Sequence, residues 1–76
     1  MTRELKITYQ QLEKAGWDLW LDNGTTIVAT PPEGESWSTA KTYVEDLMKY
    51  NLGAYAKVTE KDDCFELEDE FGIGMR

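Results

Sequence analysis

The sequence contains no histidine. That absence removes Ser-His and Cys-His nucleophilic sites together with the commonest general base. A single cysteine, Cys64, cannot form an internal disulfide, and without histidine it cannot build a zinc site. There is no Gly-rich loop ending in Lys-Ser or Lys-Thr, hence no phosphate-cradling loop of that type. No apolar stretch approaches the roughly 18 residues of a membrane span, and no basic start leads into an apolar run. Basic residues are also scarce: eight Lys and Arg stand against fifteen Asp and Glu, a net charge of −7. Such a surface repels nucleic acid and anionic lipid and attracts basic patches. These absences predict a cytoplasmic, non-enzymatic protein without cofactor or metal that touches neither nucleic acid nor membrane directly.

What is present is enough for one core. The 76 residues are 41% apolar, with three Trp, four Tyr and two Phe. A chain of this length buries about 60% of its unfolded surface, which fits one domain over residues 1–76 and leaves no room for a second.

Four signals mark a first helix over Tyr9–Ala15. Thr8 to Gln11 fits a capping box, and Ile7 and Leu12 occupy the hydrophobic-staple positions. Gly16 stands where a left-handed residue ends a helix, and Trp17 follows, able to touch Leu12. Two β-branched and aromatic runs, 17–22 and 25–30, then flank Asn23-Gly24, a strong hairpin signal. A two-residue turn pairs Leu21 with Thr26, Trp20 with Ile27 and Leu19 with Val28. One face then holds Trp17, Leu19, Leu21 and Val28; the other holds Trp20, Ile27 and Ala29. Trp20 also shares its side with Asp18 and Asp22, so it lies either under the first helix or exposed as an anchor.

Pro31-Pro32 stops the strand, and Ser36 or Ser38 caps the main helix. Trp37, Ala40, Tyr43, Val44, Leu47 and Met48 form its apolar stripe, and Asn51 is the expected left-handed exit. A second hairpin with Glu60 opposite Asp63 sets Val58 against Phe65, Ala56 against Leu67 and Lys57 against Glu66. The tail either docks through Phe71 and Ile73 or frays. The expected fold is α+β, in the order α-β-β-α-β-β. A four-stranded, mainly antiparallel sheet is packed by one main helix, with a short N-terminal helix for which the Trp20 side is one available place.

Several motifs have ordinary readings. Ser38-Thr39-Ala40-Lys41 matches S-x-x-K, but a Ser at a helix start with Lys one turn on is common capping, and the companion motifs are missing. Asn23-Gly24-Thr25 reads as a turn rather than a glycan acceptor. Gly72-Ile73-Gly74 has no helix after it. Acidic neighbours should raise the Cys64 pKa and keep the thiol protonated. The acids lack calcium-loop spacing.

The acids are concentrated. Residues 60–70 hold Glu60, Asp62, Asp63, Glu66, Glu68, Asp69 and Glu70 against Lys61 alone, so six of the seven net negative charges fall there. Glu66, Glu68 and Glu70 alternate, and on a continuous strand they would form a row at about 6.7 Å spacing, broadly like successive phosphates. The ordinary alternative is edge protection and solubility. These seven acids, with Tyr55 on the Lys57 side and Trp20, are the expected partner-binding residues.

In size, acidity and lack of catalytic residues the chain resembles the small acidic inhibitors carried by phages and mobile elements, such as anti-CRISPR and DNA-mimic anti-restriction proteins. The resemblance implies a monomer or weak homodimer that blocks a basic nucleic-acid-binding protein or ribonucleoprotein complex. The stretch Trp17 to Leu47 (hairpin, Pro-containing loop, Ser-capped helix) is similar to the core of HicB-type antitoxins, which implies neutralisation of a basic RNase. A different reading is an adaptor subunit that oligomerises through Trp20, Ile27 and Ala29.

Overall fold

The computed structural model describes residues 2–70. The elements follow the expected order: α1 (Arg3–Lys14), β1 (Asp18–Asp22), β2 (Thr26–Thr30), α2 (Trp37–Leu52), a 3-10 turn (Gly53–Tyr55), β3 (Ala56–Glu60) and β4 (Phe65–Asp69). The strands form one antiparallel sheet in the order β1-β2-β4-β3, so β2 and β4 are interior and β1 and β3 are edges. The fold is a single α+β domain.

α1 begins six residues earlier than the capping box implied. Its N-cap is Thr2, whose hydroxyl accepts from the Leu5 amide and donates to the Asp69 carboxylate. Leu5, Thr8 and Leu12 make its buried stripe, and Thr8 spends its hydroxyl on the Glu4 carbonyl inside the helix. The C-terminus ends as anticipated. Gly16 has φ +94°, its N–H donates to Glu13, and the Trp17 N–H donates to Leu12. Those two bonds are the Schellman pair that satisfies the last carbonyls.

Ser36 caps α2 by accepting from the Thr39 amide. Asn51 does not end this helix. It lies within α2 and donates to Thr8 and Gln11 of α1, tying the two helices together. The positive φ at the exit belongs to Gly53.

Both helices pack on one side of the sheet. Leu5 and Leu12 of α1 and Ala40, Val44, Met48 and Leu52 of α2 close over Ile27, Ala29, Phe65 and Leu67. Phe65 stacks on Trp37 at 4.5 Å between ring centroids, and Trp17 lies 6.1 Å from both Phe65 and Tyr43. Trp17 is buried and Trp37 packs against the core, as their positions implied.

Both hairpin registers differ from expectation. Asn23 and Gly24 have the positive φ values of a type I′ turn, and the Thr25 amide donates to Asp22. The ladder, however, pairs Asp22 with Thr26, leaving Thr25 as an extra unpaired residue. Leu21 therefore faces Ile27, Trp20 faces Val28 and Leu19 faces Ala29. This one-residue shift exchanges the two faces: Leu19 and Leu21 join Ile27 and Ala29 on the helix side, and Trp20 joins Val28 on the other. The second hairpin has a four-residue loop, 61–64, closed by the Lys61 N–H donating to the Cys64 carbonyl. Its pairs are Val58 with Leu67, Ala56 with Asp69 and Lys57 with Glu68, a shift of two that keeps every side chain on its expected face.

Candidate functional site

The sheet side away from the helices carries no second layer among the described residues. Alternation along the strands sends Asp18, Trp20 and Asp22 of β1, Thr26, Val28 and Thr30 of β2, Glu66 and Glu68 of β4, and Lys57 and Thr59 of β3 to this side. α1 does not cover Trp20, which is 58% exposed. The register runs Trp20, Val28, Glu66, Thr59 straight across the four strands. Beside it, Thr26 donates to Glu68 at 2.9 Å, and Glu68 pairs with Lys57 at 3.5 Å. Asp18, Asp22 and Glu66 belong to no ion pair among the described residues. The face thus has an exposed indole and an aliphatic strip, with carboxylates around them and one cation engaged at its far edge.

The acidic run does not stay together. Strand alternation and the loop divide it. Glu60 turns to the helix side, where it accepts from the Trp37 indole N–H and pairs with Lys41 at 3.2 Å. Those contacts, the indole bond foremost, hold its carboxyl below the usual range. Asp62 and Asp63 sit in the exposed loop. Asp69 is 7% exposed and holds the start of α1 through Thr2. Glu70 lies past the end of β4, so the row of three shrinks to Glu66 and Glu68, both half-buried on an interior strand. Edge protection cannot be their role, because β4 is not an edge.

Tyr55 is not on the Lys57 side either. It lies in the turn before β3 and lines a shallow cleft with Glu4, Asn51, Leu52 and Asp69 on the helix side. Ile27 and Ala29 are buried under the helices, so the apolar face drawn from Trp20, Ile27 and Ala29 does not exist. The sequence reading missed Asp18, Asp22 and Val28 as site residues. The Asp18 to Asp22 alternation carried the signal, since it sets two acids beside Trp20 whatever the register.

Cys64 is half-buried in the hairpin loop. Burial pushes its thiol up, and the charge of Asp63 beside it pushes further. Among the described residues no three metal-ligating side chains converge, and no helix is long and apolar enough to cross a membrane. Phe71, Ile73 and the Gly72 to Gly74 motif lie outside the described residues. No family model, curated protein or solved structure matches the chain.

Proposed function

We propose that this chain is a non-enzymatic inhibitor that docks its open sheet face on the basic nucleic-acid-binding surface of another protein or ribonucleoprotein complex. The observation that carries the reading is Trp20: an exposed indole with Val28 beside it and Asp18, Asp22 and Glu66 on the same face. Trp is the residue type most often found at the energetic centre of interfaces. Surrounding carboxylates select a cationic partner and speed the encounter. Surfaces built for phosphate backbones are lined with Arg and Lys and accept carboxylates. Occupation of such a surface excludes nucleic acid both sterically and by charge. The resemblance to phage-borne inhibitors makes CRISPR and restriction effectors the first targets to test.

The test is competition. The chain, immobilised and exposed to purified effector complexes at low salt, captures its target. Added DNA or RNA that the target binds releases it in proportion to occupancy. Capture that persists unchanged at saturating nucleic acid would contradict the reading.

A further inference from the structure

β1 pairs with β2 on one side only, and among the described residues no strand lies along its other edge. Its consecutive residues Trp20 and Leu21 point to opposite faces, yet they are 58% and 39% exposed. Exposure of both means that the helices stop short of this edge on one side and that, among the described residues, nothing covers it on the other. The opposite edge, β3, differs. There Val58 is half-buried against the core, and Lys57, paired with Glu68, puts a cation on the open side, which repels a basic segment where the acids of β1 attract one.

We propose that the outer edge of β1 accepts an extended segment of the partner as a fifth strand, and that this segment alternates basic and apolar residues. The proposal rests on the open face being the partner surface, and it names how that surface is entered. A strand laid along residues 18–22 meets Asp18, Trp20 and Asp22 on the open side and Leu19 and Leu21 on the helix side. Lys or Arg on the open side lays its stem along the indole and reaches a carboxylate on either flank. Val, Ile or Leu on the helix side covers Leu21 and extends the core. Backbone hydrogen bonds supply the rest of the attraction, as in strand addition generally. Self-pairing is disfavoured by the same residues. Antiparallel pairing of two β1 strands centred on Trp20 sets Asp18 of each copy beside Asp22 of the other, and like charges directly opposite are destabilising.

The probe is the heptapeptide Lys-Val-Lys-Val-Lys-Val-Lys, titrated into isotope-labelled protein and followed by NMR and amide hydrogen exchange. Saturable shifts should centre on residues 18–22, with exchange of the outward-facing β1 amides slowed about tenfold or more at saturation. The same peptide N-methylated at two adjacent central residues keeps its charge but cannot pair along either edge. It should bind at least about tenfold more weakly. Leu21→Lys, at an already exposed position, should weaken the unmodified peptide to a similar degree. Equal binding of the two peptides, no binding of either, or shifts centred on Glu66 and Thr59 would overturn strand addition. The first and last of these outcomes would leave electrostatic docking on the open face standing. Loss of that reading would show separately, as failure of nucleic acid to compete.

Discussion

The two sides of the sheet are built from the same four strands and have opposite chemistry. On the helix side Ile27, Ala29, Phe65 and Leu67 are fully buried, and the carboxylates that reach it, Glu60 and Asp69, are each held by named partners. On the open side Trp20 is exposed, and Asp18, Asp22 and Glu66 form no ion pair among the described residues. Of the open-side acids among the described residues, Glu68 alone is held, by Thr26 and Lys57. The location of an acid in the fold, more than its place in an acidic run, therefore decides whether the fold holds it.

Substitutions on the two sides should separate stability from binding. The largest effect is expected at Phe65→Ala, which empties a fully buried site stacked on Trp37. A loss of about 3–5 kcal/mol is expected, enough to unfold much of a domain this small, and urea denaturation followed by circular dichroism measures it. Trp20→Ala reverses the pattern. Partner affinity should fall by about 2 kcal/mol or more, while the urea midpoint stays near that of the wild type. A Trp20→Ala protein that unfolds as readily as Phe65→Ala would erase the distinction between the sides.

Thr2→Ala should cost about 1 kcal/mol, since it removes the cap of α1 and the bond to buried Asp69 together. Hydrogen exchange should quicken first in residues 3–8. The smallest effect concerns Glu60. Its folded-state pKa is lowered, so its contribution is present above the ordinary carboxylate range and is lost as pH falls through the lowered value. Glu60→Gln should therefore unfold at lower urea than the wild type at neutral pH and match it under acid conditions. A gap that widened on acidification would contradict the assignment.

Much of the architecture was legible because local signals there agreed. Ser36, Gly16 and Asn23-Gly24 each mark a cap or a turn by a residue type that the backbone geometry favours: Gly16 acts as read, Ser36 is the one of the two candidate serines that caps, and Asn23-Gly24 makes the turn but with one residue more before the ladder. The start of α1 was not, because Thr2 and Thr8 are both competent caps. Only the burial of Leu5 in phase with Thr8 and Leu12 decides for the earlier one. The hairpins show why register is harder than the presence of strands. One extra residue at Thr25 moved Trp20 away from Ile27 and Ala29, whereas a shift of two in the second hairpin changed partners and kept faces. The candidate site was half legible. Trp20 and Glu66 belong to it, but the acidic run was read as one surface although alternation and tertiary contacts scatter it. Tyr55 lay beyond reach, because nothing local marks a 3-10 turn that ends a strand's periodicity.

The central claim is that the open sheet face, Glu66 included, meets the partner, and the 61–64 loop does not. Affinity for a captured target should be measured for the wild type, for the triple variant Asp18→Lys, Asp22→Lys, Glu66→Lys, and for the loop variant Asp62→Lys, Asp63→Lys, at two salt concentrations. The account predicts that the triple variant loses about a hundredfold or more in affinity and most of its salt dependence, while the loop variant changes by less than about threefold. The reverse ranking, with the loop variant crippled and the sheet-face variant intact, would contradict it.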